Sequence, residues 1–220
     1  MAQWLNSAFA GYDAAILKFM HSLAQAAGGL LTPLTKLITL LGEKGILLLF
    51  LAFVLMCFSR SRPVGVCLFG AVCCGTLITT FILKDAVARP RPFELVPQFR
   101  QWWVYIGSPA EDGFSFPSGH VTAAASGMTA LCLMRGKRMV LPGIAVVVLM
   151  AVSRNYLMAH YPSDVLFAVI IGVISAFIAY WITKFIFRFL EDHREWGICA
   201  FALNFDLIPA LAPKKGKHEK

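Results

Sequence analysis

The chain has 220 residues, of which 58% are hydrophobic and only 15% charged, and its formal net charge is +8. This composition argues against an ordinary soluble domain, because soluble domains rarely carry several apolar runs near the roughly 20 residues that cross a bilayer. The positive charge suits anionic lipid headgroups, and no motif favours a nucleic-acid partner. We therefore expect a polytopic membrane protein.

The first helical region, residues 13–41, has a mixed character. Polar residues interrupt it at Asp13, Lys18, His21, Gln25 and Lys36, and Gly28-Gly29 with Pro33 break the helical pattern. We interpret this region as an interfacial helix followed by a further helix, with a full first span as the alternative. The first dozen residues lack a basic segment and a continuous apolar core, so no cleavable signal peptide is expected.

Five apolar runs follow, at 44–58, 64–83, 121–134, 140–158 and 165–187. Within lipid, a single segment satisfies its backbone hydrogen bonds only as a helix. The predicted fold class is therefore all-α, a transmembrane helical bundle with about five to six spans. Residues 1–195 are expected to form one domain, and 196–220 an apolar surface segment with a basic cytoplasmic tail. The six cysteines show no metal-ligand spacing and are interpreted as small packing groups.

Orientation is predicted from the short basic connections, because arginine and lysine are retained on the cytoplasmic side. Basic residues lie between the first two runs, between the third and fourth, and after the last run. Three polar islands, at 84–92, 117–120 and 153–164, then share the opposite side of the membrane. The protein is expected in the cytoplasmic membrane with these islands facing outward. For the 93–116 loop, an ordinary interfacial loop is the simpler interpretation and a cover over the site is the alternative.

The three polar islands concentrate ionisable residues at the ends of apolar runs. They hold Lys84, Arg89 and Arg91; Ser118, Gly119 and His120; and Ser153, Arg154, His160 and Asp164. Cations, two histidines and a carboxylate in this arrangement can converge on an oxyanion. Arginine offers two-pronged hydrogen bonding to phosphate, whereas lysine acts as a point charge.

Each of these residues also has a simpler explanation. A lone histidine near a helix end is usually a capping or structural group, and Arg154 by itself could anchor a helix end in the headgroups. Arg89 is assigned either a supporting electrostatic role or a solvated surface charge. No metal or cofactor is expected, because the islands contain too few carboxylates for two metal ions and their cations would repel one.

The motifs Lys84-x6-Arg91-Pro92, Pro117-Ser118-Gly119-His120 and Ser153-Arg154-x5-His160-x3-Asp164 resemble the three-part signature of the type 2 phosphatidic acid phosphatase (PAP2) superfamily. The resemblance spans roughly residues 40–187, in motif order and hydropathy. That superfamily also contains vanadium haloperoxidases and glucose-6-phosphatases. The match therefore specifies an oxyanion site more closely than a substrate, and the compact helical core resembles bacterial membrane lipid phosphatases.

The resemblance implies a role for each signature residue. His160 is the nucleophile, Asp164 accepts a hydrogen bond from its other ring nitrogen, and His120 protonates the leaving oxygen. Lys84, Arg91, Ser118, Gly119 and Arg154 bind the substrate phosphate.

The implied activity is metal-independent hydrolysis of a membrane lipid phosphomonoester or pyrophosphate through a phosphohistidine. Undecaprenyl pyrophosphate, or a broad set of lipid phosphates, is the first expectation for the substrate. Phosphatidylglycerophosphate and phosphatidic acid are the alternative. A vanadium haloperoxidase-like enzyme, a transporter and a non-catalytic anion-binding protein are the competing classes, and the sequence shows no internal repeat typical of a transporter.

Overall fold

A computed structural model describes residues 1–207, apart from the side chain of Lys44. In chain order the helices of this part are α1 (Ala2–Ala8), α2 (Ala10–Ala26), α3 (Leu31–Leu41), α4 (Ile46–Met56), α5 (Arg62–Thr76), α6 (Lys84–Val87), α7 (Pro92–Leu95), α8 (Pro97–Tyr105), α9 (Gly119–Arg135), α10 (Val140–Tyr156), α11 (Pro162–Asp192) and α12 (Gly197–Asn204). A π-helical turn at Leu77–Leu83 joins α5 to α6. The all-α class is confirmed for the described residues, whereas the predicted basic tail lies outside them.

The centre of the bundle is formed by α5, α9 and α11, with α4 packed on α5 and α10 packed on α9. Small side chains let these helices approach closely, as is common between membrane helices. At Gly172 of α11, an added Cβ would lie 2.8 Å from the Thr122 carbonyl oxygen and 2.8 Å from the Ser126 amide nitrogen, both on α9. Any larger residue would push α11 away from α9, which begins with two of the signature residues.

Three to four candidate membrane spans are present among the described residues, and the expected count of five to six stays a prediction. Among the described residues, Arg62–Leu95, Lys137–Tyr156 and Pro162–Asp192 are each long and apolar enough to cross a membrane, and α3 with α4 qualifies only as a pair bent by 41°. The run at 44–58 becomes an 11-residue helix, because Gly45 adopts a left-handed conformation (φ 73°) just before α4. The run at 121–134 falls within the 17-residue α9.

Helix α2 lies across the turn that joins α10 to α11. Its buried residues Leu17, Met20 and Ala24 pack into one cluster with Tyr156 and the residues that follow, up to Tyr161, apart from His160. The turn itself reverses the chain through Met158, whose φ is +53°. His160 is therefore presented on a segment held between α2 and the ends of two bundle helices.

Candidate active site

The three polar islands meet at one end of the bundle. His160 lies in the turn between α10 and α11, Ser118 is the residue before α9, and Lys84 begins α6 directly after the π-helical turn. Lys84, Arg91 and Arg154 all act electrostatically on His160. The fold thus brings together side chains that are up to 76 positions apart in the sequence.

The His160 side chain is almost completely buried, and its Nδ1 lies 2.6 Å from the carbonyl oxygen of Ser115. Because a carbonyl only accepts hydrogen bonds, Nδ1 must carry the ring proton, which leaves the lone pair on Nε2. Burial lowers the pKa of His160 well below its ordinary value, and the positive charges of Arg154, Arg91 and Lys84 lower it further. His160 is thus a neutral imidazole with one fixed tautomer at neutral pH.

Asp164 does not contact His160 in the way that the resemblance implies. Its Oδ2 accepts hydrogen bonds from Ser115 Oγ at 2.5 Å and from the Tyr161 amide at 3.0 Å. As the third residue of α11, Asp164 turns back to cap the first turn of that helix. Its influence on His160 therefore passes through Ser115, whose hydroxyl bonds Asp164 and whose carbonyl bonds His160.

Arg91 and Arg154 form the cationic part of the site, and both contact Glu111. The Glu111 carboxylate lies 3.1 Å from Arg91 Nη1 and 2.5 Å from Arg154 Nη2. Arg91 also donates to the carbonyl oxygens of Ala159 and Gly113, at 2.8 and 2.9 Å. These contacts fix Arg91 beside the His160 turn, and they place an internal carboxylate where the sequence predicts the substrate phosphate.

Further donors at this end of the bundle are buried without a partner. Within residues 1–207, Ser118 Oγ and two nitrogens of Arg154, Nε and Nη1, make no hydrogen bond. Leaving such groups unpaired costs about 1–3 kcal/mol each. An added Cβ at Gly119 would meet no protein atom within 4 Å, so packing inside the protein does not require glycine there. An oxyanion with several acceptor oxygens matches both features.

His120 lies at the start of α9, and its Nε2 is 3.2 Å from Glu43 Oε2. Glu43 belongs to the break between α3 and α4, so the bent helix pair reaches the site through this contact. The contact gives the His120 ring a defined orientation and a proton acceptor next to Nε2.

Arg89 is fully buried, so its interpretation as a solvated surface charge is wrong. Its guanidinium lies 2.9 Å from Asp13 Oδ2 and 2.5 Å from Asp164 Oδ1, and it stacks on the ring of Tyr161. The supporting electrostatic role is the one that these contacts favour.

The 93–116 loop is more than an ordinary interfacial connection. It contains α8 and most of α7, and it supplies Glu111 to the arginines and the Ser115 carbonyl to His160. Trp102 of this loop is buried and stacks on His21. The contacts favour the interpretation of this loop as a cover over the site.

Sequence reasoning missed four residues that contact the site: Glu111, Ser115, Glu43 and Asp13. None lies in a signature motif, and all four reach the site through the tertiary packing of α2, the α3–α4 break and the long loop, which supplies both Glu111 and Ser115. Of these four residues, only Asp13 could have been suspected from the sequence, because a carboxylate in a mostly apolar helix needs a buried partner or a solvent-exposed face.

Replacing Glu111 with Gln is expected to tighten the binding of anions. We expect the carboxylate to compete with phosphate for Arg91 and Arg154, and a charge-assisted contact is worth about 1.5–3 kcal/mol. The inhibition constant of inorganic phosphate should therefore fall at least about tenfold. Asp112→Asn, which changes an exposed neighbouring carboxylate, is the matched control. Weaker inhibition in Glu111→Gln would mean that Glu111 instead holds the arginines in their binding geometry.

Comparison with known proteins agrees with this geometry. The profile of the PAP2 superfamily matches residues 64–188, which contain all three signature motifs. The undecaprenyl-diphosphatase of Sulfolobus acidocaldarius is 29% identical over 133 residues, which cover 57% of this chain and 58% of that protein. The chain thus matches little more than half the length of this curated relative. No solved structure matches the chain. The superfamily match covers more than half of the chain, and the protein belongs to the PAP2 superfamily.

Proposed function

We propose that this protein is a metal-independent phosphatase of membrane lipid phosphates that acts through a phosphohistidine at His160. The observation that carries the proposal is the set of buried donors on Ser118 and Arg154 that lack partners, in a site where three cations act on a neutral histidine. Such donors stabilise charge that spreads over the equatorial oxygens of a phosphoryl group during transfer.

In the first step, His160 Nε2 attacks phosphorus and the bond from phosphorus to the leaving oxygen breaks. Lys84, Arg91 and Arg154 hold the phosphoryl oxygens, together with Ser118 Oγ and the amide of Gly119. His120 gives a proton to the leaving oxygen, so a lipid alcohol or a lipid monophosphate departs. The positive charge on the phosphorylated ring is offset by the Ser115 carbonyl at Nδ1, behind which lies Asp164.

In the second step, His120 removes a proton from water, and the resulting hydroxide attacks the phosphohistidine. The N–P bond breaks, inorganic phosphate forms, and His160 returns to its neutral state. Asp164 is a positioning residue in both steps, because it acts on His160 through Ser115.

The pH dependence should follow the depressed pKa of His160. Below that pKa the imidazole is protonated and Nε2 has no lone pair, so the acid limb of kcat/KM should lie well below pH 6.5. Arg154→Gln removes one of the cations that lower the pKa and should move this limb to higher pH. Measured profiles of both proteins on one substrate test this, because ionisation of the substrate is common to both. An unshifted limb would contradict the assignment of His160.

An apolar cavity favours a lipid substrate. It has a volume of about 300 Å³ and is lined by residues of α3, α4, α9 and α10, and by Gly42 and Gly45 of the break that also contains Glu43, the residue that contacts His120. His120 stands on the leaving-group side in the proposed mechanism. The cavity is therefore suited to the hydrocarbon chain of the departing lipid.

The substrate that we propose first is undecaprenyl pyrophosphate, or a broad set of lipid phosphates. The similarity to an undecaprenyl-diphosphatase supports it, and a pyrophosphate offers more acceptor oxygens to the cationic site than a monoester does. Phosphatidylglycerophosphate and phosphatidic acid remain the alternative substrates.

Filling the cavity should weaken the binding of long-chain substrates selectively. Val146→Trp places a large side chain in it, and KM for undecaprenyl pyrophosphate should rise at least about tenfold, as expected when several methylenes lose their contacts. KM for a short-chain prenyl pyrophosphate should change little. The control is Val148→Trp, which projects from the same helix into a different cavity. Equal effects of the two variants on both substrates would contradict this placement of the chain.

The direct test is phosphate release by purified protein in detergent with EDTA present. Undecaprenyl pyrophosphate, phosphatidylglycerophosphate and phosphatidic acid are compared, with His160→Ala as the control. Release that persists in EDTA and disappears in the variant supports the proposal and ranks the substrates. Absence of release from every lipid contradicts it.

We further propose five to six spans in the cytoplasmic membrane, with residues 1–195 as one domain. In this arrangement α9 and the bent α3–α4 pair cross the bilayer along with the three longer helices. The site faces the extracytoplasmic side, because the connections containing Arg60 and Arg135 are basic and lie at the other ends of the helices. Labelling of single cysteines placed at Asp112 and at Arg135, in intact cells, tests the orientation.

A further inference from the structure

Asp13, outside the segment matched by the superfamily, is part of the buried charge network behind the site. Only 3% of the residue is exposed, although it lies in the otherwise amphipathic α2. A buried carboxylate is costly unless several donors compensate it. The donors that pair with the Asp13 carboxylate therefore indicate its structural role.

Those partners lie on two elements of the site. Asp13 Oδ2 lies 2.9 Å from Arg89 Nη2 and accepts from Ser163 Oγ at 2.7 Å, and Oδ1 accepts from the Ser163 amide at 2.8 Å. Ser163 is the second residue of α11, so Asp13 supplies a carboxylate to the N-terminus of this helix, where negative charge is favoured. Asp13 thus ties α2 to Arg89 and to the helix that begins beside His160.

Arg89 passes this constraint on to Asp164. The Arg89 side chain is held from several directions: Nε donates to Asn6 Oδ1 at 2.8 Å, and Nη1 donates to Ser163 Oγ at 2.8 Å and to Asp164 Oδ1 at 2.5 Å. The other oxygen of Asp164 accepts from Ser115 Oγ, and the Ser115 carbonyl accepts from His160 Nδ1. A continuous chain of contacts joins Asp13 to the imidazole.

We propose that Asp13 is a positioning residue for the reaction, holding Arg89 where it pairs with Asp164 and thereby fixing the Ser115 carbonyl that orients His160. This inference rests on the proposed function for its kinetic readout, but its structural readout is independent of turnover. The N-terminal helices would then form part of the catalytic architecture and not only a membrane-surface anchor.

Asp13→Asn is the primary test. The amide keeps the size of the side chain but loses the charge that pairs with Arg89, and its NH₂ group faces donors on Arg89 and Ser163. Since misplacement by about 1 Å can cost on the order of 100-fold in rate, kcat should fall roughly 10- to 100-fold with little change in KM. Met20→Ala weakens the packing of α2 against the same turn and leaves the carboxylate in place, so it reports the effect of poorer docking alone.

A spectroscopic readout separates positioning from stability. In protein labelled with ¹⁵N-histidine, the Nδ1 proton of His160 reports its short hydrogen bond to Ser115. Asp13→Asn should shift this resonance upfield, whereas Met20→Ala should leave it in place. If the Asn variant does not fold, Asp13→Glu takes its place as the test. It keeps the charge and displaces the carboxylate by one methylene, and it should lower kcat severalfold.

The pathway through Ser115 is tested by combining Asp13→Asn with Ser115→Ala. If both act on the same carbonyl, the double variant should lose little more activity than Ser115→Ala alone. The role of Asp13 would be overturned if the losses of the two single variants multiplied in the double variant. It would also be overturned if Asp13→Asn kept a kcat within about twofold of the unmodified protein, or if its His160 resonance did not shift. Should the unmodified protein hydrolyse none of the lipids, the proposed function fails, while the resonance shift still decides whether Asp13 sets the geometry of His160.

Discussion

His160→Ala is expected to abolish turnover and the phosphoenzyme together. In the proposed mechanism the imidazole supplies the attacking lone pair on Nε2, since Nδ1 is bonded to the Ser115 carbonyl. Loss of a nucleophile lowers kcat on the order of 10⁴- to 10⁶-fold. Rapid quenching after mixing with ³²P-labelled substrate, followed by alkaline gel electrophoresis, detects the acid-labile phosphohistidine.

The comparison with His120→Ala makes this prediction specific. His120 is assigned to protonate the leaving group, so its loss should matter less when the leaving group is already a weak base. With an aryl phosphate, His120→Ala should still form the phosphoenzyme, which should then accumulate because water is no longer activated. Equal and small effects of the two substitutions would refute the assignment of both histidines.

The fold could be predicted in class but not in detail. Apolar runs and the hydrogen-bonding demands of lipid predict helices, and helices are what the described residues form. Helix length was less predictable, because it depends on local breaks such as the left-handed Gly45 before α4. The burial of α2 against the His160 turn depends on tertiary packing, which the spacing of its polar residues does not reveal.

For the site, the sequence predicts the signature residues but not the groups that position them. Lys84, Arg91, Arg154 and His160 interact at one end of the bundle, as the motifs indicate. The carbonyl of Ser115 could not have been predicted, since a backbone acceptor leaves no mark in the sequence. The position of Glu111 could not have been predicted either, because an acidic residue in a long loop is usually solvated. Only the structure places it between two arginines.

Arg154→Gln is expected to lower kcat/KM about 10²- to 10³-fold, the usual effect of removing one donor from a site that stabilises an oxyanion. Arg154 is fully buried at the end of α10, and two of its nitrogens have no partner within residues 1–207. In the proposed mechanism those nitrogens bind the transferring phosphoryl group. Arg154→Lys should recover only part of the loss, because an ammonium keeps the charge but not the planar pair of donors.

The alternative role of Arg154, anchoring a helix end in the headgroups, predicts a different outcome. An anchor should affect the amount of protein in the membrane and leave the activity per molecule unchanged. Arg135→Gln, which changes an exposed arginine at the end of α9, serves as the matched control for that effect. Quantifying membrane-inserted protein alongside kcat/KM for the three variants separates the roles. A burial as complete as that of Arg154 is costly for an anchor that belongs in water, and this favours binding of the phosphoryl group.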